Sequence, residues 1–210
     1  MKGYGRGSVD SWQQAVDSMD PEHEHMLRGG TVSNFFLRES LTYSHPVFVG
    51  GCYGLMISIA LLLPLAYNSH GGEYLEFARQ WGLQALIIIS ITSILGAFSI
   101  FTSMAVKRPP ARLRNWRKIL FLLPFLGLTV LSISIIYEYG GHLFLRLGWF
   151  FYLLPGPLWV HLSYAPRWRI IERIDRGIDP FEGMGKTIYG DSLGLNGSED
   201  KDLDEVVEIL

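Results

Sequence analysis

Four histidines stand beside the long apolar segments of this chain. His45 and His70 flank the first segment, and His142 and His161 lie at the two ends of the fourth. If those segments are neighbours, His45 approaches His161 at one end and His70 approaches His142 at the other. Two axial imidazoles are what a haem b iron takes, and helix bundles hold haem between facing side chains. Gly50, Gly51 and Gly54 would leave room near His45. A haem b- or quinone-binding electron-transfer subunit is therefore one expectation. Against it, no segment carries two internal histidines one above the other, and only His161 falls inside a span. The simpler reading is a set of imidazoles at headgroup depth with ordinary hydrogen bonds, and no cofactor.

Other candidate chemistry is thinner. His23-Glu24-His25 offers donors at i and i+2 in a polar segment, which reads as surface histidine rather than a metal site. Gly185-Lys186-Thr187 resembles the end of a phosphate loop, but the glycine needed five residues earlier is Pro180. No nucleotide is expected. Asn196-Gly197-Ser198 fits the glycosylation pattern, yet the topology derived below puts it on the wrong side of a membrane. There is no HExxH, and no serine–histidine–acid set or pair of surface carboxylates stands out. The single cysteine, Cys52, sits in an apolar run and reads as a small hydrophobe. A net charge of −2 gives no bulk electrostatic case for nucleic acid. More often than not, a chain of this kind has no catalytic activity of its own.

The elements that carry these residues are clear. Of 210 residues, 49% are hydrophobic and 18% charged, against roughly a quarter charged in soluble domains. The apolar residues fall into four runs, about 47–67, 82–106, 119–137 and 147–164, none with an Asp, Glu, Lys or Arg. A hydrocarbon core about 30 Å thick takes roughly 20 residues of helix. The runs are continuous rather than alternating, so helices are expected, not strands. The fold class is all-α: a polytopic integral membrane protein with four transmembrane helices. Tyr67, Trp81, Trp116, Tyr137, Trp149 and Tyr164 mark the edges as interfacial aromatics do. The first 30 residues hold no apolar signal segment, and no lipid-anchor pattern is expected at either end.

Between the second and third runs lies KRPPARLRNWRK, with Lys107, Arg108, Arg112, Arg114, Arg117 and Lys118 and no acid. Short basic loops remain on the cytoplasmic side. Placing this loop, the N terminus and the C terminus inside puts 16 of the 18 basic residues there. "Inside" means cytoplasm, matrix or stroma, according to the membrane. Arg167, Arg169 and Arg173 follow the fourth run and join the loop residues as topology determinants and contacts for anionic lipid headgroups. The polar segment 1–46 suggests short amphipathic helices, with Trp12, Val16 and Met19 on one stripe and Val32, Phe35 and Phe36 on another. In 165–180, Trp168, Ile171, Ile174 and Ile178 recur at helical spacing with the arginines elsewhere, which predicts an interfacial helix. Residues 181–210 form an acidic tail.

Packing features outnumber chemical ones. Gly50 and Gly54 make a small-xxx-small pair, and Ser90, Ser93, Gly96 and Ala97 line a strip on the second span, where helices can approach closely. Gly127 is expected to matter less. Pro64, Pro124, Pro155 and Pro157 predict local bends. The expectation is a non-catalytic accessory subunit of a larger membrane complex, with other membrane subunits and anionic lipids as partners. A small transporter or lipid-handling protein, with a cavity at the fourth-span kink, is the third possibility.

Overall fold

The structure, a computed structural model, describes residues 9–37, 40–69, 72–111, 116–137, 139–182 and 184. His70, Arg112, Arg114, Glu138, the 185–187 motif, Asn196 and the rest of the acidic tail beyond Met184 lie outside the described residues. All described regular elements are helical. Four stretches are long and apolar enough to cross a membrane: Pro46–Asn68, Tyr74–Val106, Lys118–Tyr137 and Gly141–Asp175. They are called spans one to four.

Three short helices precede them: α1 (Val9–Asp17), α2 (Pro21–Arg28) and α3 (Thr31–Leu37). Span one is α4 (Pro46–Ala60) followed by α5 (Leu62–Asn68). The step between them follows from Pro64, which has no N–H to give to the carbonyl of Ala60, where α4 ends. Span two is the single helix α6 (Tyr74–Val106). It starts eight residues before the expected boundary. No breaker stands between Tyr74 and Gly82, and Gln80 bonds back to Glu76 at 3.1 Å. At 1.5 Å per residue it is about 50 Å long, more than a hydrocarbon core requires. Span three is α7 (Trp116–Tyr137), which stays helical through Pro124.

Span four differs most from expectation. It runs through α8 (Gly141–Leu153), α9 (Pro155–Trp159), a π-helical turn (Val160–Tyr164) and α10 (Ala165–Asp175) without leaving helical geometry. The interfacial helix expected after the span is thus its direct continuation. The wide turn accommodates Pro166: Ala165 N–H bonds back to Val160 O, five residues away. Pro166 has no N–H for Leu162 O, and that carbonyl accepts instead from Ala111 N–H, at 2.9 Å. A proline inside a span thereby anchors the loop that follows span two.

Spans one and two form one antiparallel hairpin, and spans three and four another. The hairpins meet where span four packs against spans two and one and where α5 of span one packs against span three, and spans two and three make at most marginal contact among the described residues. At one end, α1 to α3 pack on α10, burying Trp12, Val16, Leu27 and Leu37 against Tyr164, Trp168, Ile170 and Ile171. Loop 107–111 lies at this same end. A second core of Ile57, Leu61, Ile88, Leu131 and Tyr152 lies deeper in the bundle. Helix α3 buries Ser33 and Leu37 and leaves Val32 and Phe35 exposed, 48% and 67%.

Candidate functional site at the basic end of the bundle

The end of a helix leaves carbonyls without intrahelical partners and a partial negative charge. Two such ends converge on α10, and each receives an arginine. Arg169 Nη1 donates to Ser103 O in the last turn of span two, and Nη2 donates to Arg108 O at 3.3 Å and reaches Met184 Sδ at 3.1 Å. Arg167 Nε donates to Met26 O in the last turn of α2, at 2.9 Å, and Nη1 donates to Ser33 Oγ at 2.9 Å. The two arginines are only 6% and 5% exposed. Both guanidinium groups are held by oxygens of the protein itself, which the amphipathic pattern did not suggest. Two residues apart means about 200° around the helix, so they leave α10 on nearly opposite sides. Gly29 makes room for Arg167: a Cβ there would sit 2.5 Å from the guanidinium carbon, and φ is +63° as the chain turns into α3.

The entry to span one is tied to the same helix. Tyr164 Oη donates to Ser44 O at 2.7 Å, and Trp168 Nε1 donates to Leu41 O at 3.1 Å. His45 caps α4, its Nδ1 accepting from Val47 N–H at 3.3 Å, and its ring meets the Trp168 ring edge-on at 4.6 Å. Burial pushes the His45 pKa down, with the Glu172 carboxylate partly opposing. His161 belongs to the π-helical turn, and its ring stacks on Phe98 of span two at 6.3 Å. Thus His45 and His161 engage different rings. His142 is exposed at the opposite end.

Small residues set the distances between spans. A Cβ on Gly50 would lie 2.4 Å from Thr92 O, and one on Gly54 would lie 2.3 Å from Thr92 Oγ1. A Cβ on Gly51 would meet Ser93 Oγ, and one on Gly96 would reach Pro46 O at 2.3 Å. Gly127 is as tight, 2.5 Å from Tyr152 N, so span three depends on it more than its isolated position suggested. Tyr53 covers Gly156 and donates to Tyr152 O at 2.7 Å, while Tyr152 Oη donates to Ile57 O at 2.5 Å. This reciprocal tyrosine pair joins spans one and four.

The remaining cations are more open. Lys107 ends span two with φ +52°, the one non-glycine residue at positive φ among those described, and is exposed, as are Arg108 and Lys118. Arg117 lies in α7, with its side chain outside the described set. Arg173 donates from Nε to Asp179 O at 2.9 Å and from Nη2 to Glu182 at 2.5 Å, which folds 178–182 back toward span two. Between that turn, α10 and the end of α6 lies a recess of about 200 Å³. Comparison with protein-family models, with characterised protein sequences and with solved structures finds no match to this chain.

Proposed function

We propose that the chain is a non-catalytic subunit of a larger membrane protein complex, inserted with its basic end toward the cytoplasm, matrix or stroma. One observation supports this reading above the others. The span interfaces are closed at backbone distance, through Gly50, Gly54, Gly96 and Gly127, while large apolar side chains are turned outward. Ile87, Ile91, Ile94 and Phe98 on span two are exposed, and the apolar window of span three is only 11% buried. A bundle built this way presents surfaces rather than an interior, and small-residue packing fixes their shape. Six cations in loop 107–118 and the short, less basic turns at the other end support the orientation. On this reading Val32, Phe35 and Tyr43, all exposed, lie at the headgroup level beside the start of span one.

The test is purification of tagged full-length protein from its own membranes in a mild detergent, followed by native sizing and cross-linking mass spectrometry. The expected result is a defined assembly with cross-links from spans two and three to other membrane proteins. Recovery as a lone monomer, under conditions that keep known assemblies intact, would overturn the reading. A reduced-minus-oxidised haem band in the same sample would favour electron transfer through His45 or His161 instead.

A further inference from the structure

Among the described residues, the recess at the end of span two is lined by more cations than carboxylates. Lys107, Arg169, Arg173 and Arg176 line it, with Glu172 and Glu182. Both carboxylates are already engaged: Glu182 with Arg173 at 2.5 Å and Glu172 with Arg176 at 2.5 Å. Arg169 has only neutral partners, two backbone carbonyls and a thioether. Among the described residues, no acid pairs with Lys107, whose left-handed backbone ends the helix at this point. Among the described residues the lining thus holds two more cations than carboxylates around a space of about 200 Å³, with Lys107 the exposed one and Arg169 held by main-chain carbonyls.

The rim is apolar on one side. Met104 is 48% exposed and belongs to the recess, and Phe101, one turn deeper on span two, is 70% exposed. Ile178 is also exposed and closes the other edge. A ligand with an anionic head and a hydrocarbon body matches this order of surfaces along the helix. A free anion would make no use of the Phe101–Met104 stripe. Guanidinium groups also suit phosphate oxygens better than they suit a single point of charge.

We propose that this recess is a specific site for the phosphate of one anionic phospholipid, with its acyl chains lying along Phe101 and Met104. The proposal rests on the membrane-spanning reading but not on membership of a complex. Its test uses full-length protein in detergent, titrated with phosphatidylglycerol or with phosphatidylcholine of the same chains, and bound lipid counted by native mass spectrometry. Wild type is expected to take one phosphatidylglycerol in preference to phosphatidylcholine. One basic charge near a membrane surface changes anionic-lipid affinity by about fivefold. Lys107→Gln should therefore weaken phosphatidylglycerol by about fivefold, and Glu182→Gln, which frees Arg173, should strengthen it by about the same factor. Opposite signs from two exposed residues separate the effect from misfolding, and equal melting temperatures for the three proteins complete that control. Equal affinity for the two lipids, or no change in both variants, would overturn the proposal. So would displacement of the lipid by inorganic phosphate at matching concentration, since that identifies a soluble-anion site.

Discussion

Arg167→Met should release the N-terminal helices while leaving the four spans packed. The side chain is 94% shielded and gives charged hydrogen bonds to Met26 O and Ser33 Oγ, both at 2.9 Å. Methionine fills much of the same volume but offers neither donor. The Met26 carbonyl and the Ser33 hydroxyl then lose their partner, at about 1–3 kcal/mol for each. The sum is about 2–6 kcal/mol, set against the free energy with which α1 to α3 dock on α10. With 1.4 kcal/mol per factor of ten, the undocked population rises by roughly thirty-fold to twenty-thousand-fold. Local opening of that size is measurable by hydrogen exchange in nanodiscs, with amides of α1 to α3 read separately from those of the spans. Arg167→Lys, which retains the charge but not the fork, should fall between the two. Unchanged protection of α1 to α3 in the methionine variant would refute the capping argument. Equal loss of protection in all four spans would refute it too, because the contacts made by Arg167 belong to the cap.

The other predictions probe different links in the structure. Gly54→Val drives a branched side chain into Thr92 Oγ1, at 2.3 Å, and Ile89 Cα, at 2.9 Å. Overpacking of this kind costs about 1–3 kcal/mol, so melting temperature in detergent should fall and a cross-link between spans one and two should lose yield. Lys107→Gly relieves a left-handed backbone cost of about 1–2 kcal/mol, so its melting temperature should rise, and a fall would contradict the geometry at the end of span two. His45 titrates below its usual value because it is buried, with Glu172 nearby and Trp168 against its ring. As pH falls through about 6.5 the unfolded chain takes up that proton more readily, so the native state loses stability in acid. His45→Asn keeps a capping acceptor without the titration, and its melting temperature should fall less between pH 8 and pH 5 than that of wild type. Parallel pH profiles would contradict this.

Four apolar runs, each long enough to cross a bilayer, were legible because lipid imposes length and continuity directly on sequence. Gly50, Gly54 and Gly96 were legible as places where a helix can come close, since a missing Cβ is a local property, but not that spans one and two are the helices that meet there. The roles of Arg167 and Arg169 were not. Spacing placed them off the Trp168–Ile171–Ile174 stripe and so toward water. Their partners are main-chain carbonyls of α2 and span two, 141 and 66 residues away. Carbonyls at a helix end leave no mark in side-chain chemistry, and the convergence of two ends on α10 exists only after the hairpins pack. Gly127 was undervalued for a related reason: its counterpart is backbone at Tyr152, which no residue type reveals. The fourth run was read as ending at 164, and the π-helical turn before Pro166 lets the helix continue.

A buried arginine normally asks for an acid, and neither Arg167 nor Arg169 has one among its hydrogen-bond partners. The helix ends supply the substitute. A C-terminal turn carries about half a negative charge, which a guanidinium opposes; Met26 O takes a donor from Arg167, and Ser103 O, which already accepts from Lys107 N–H at 3.1 Å, takes a second from Arg169. For span two a donor from elsewhere matters because Pro109 and Pro110 follow its last turn without N–H groups of their own. Arg169 therefore closes the span, and Arg167 closes α2 from the other side of the same short helix. With Tyr164 of the π-helical turn and Trp168 holding the entry to span one, α10 touches the N-terminal cap, span one and span two through Arg167, Trp168 and Arg169. A force or a binding event that tilts α10 must move all three. Beside the direct bond from Ser44 Oγ to Phe36 O at 2.6 Å, α10 is thus a route by which an event at the cap can reach the spans.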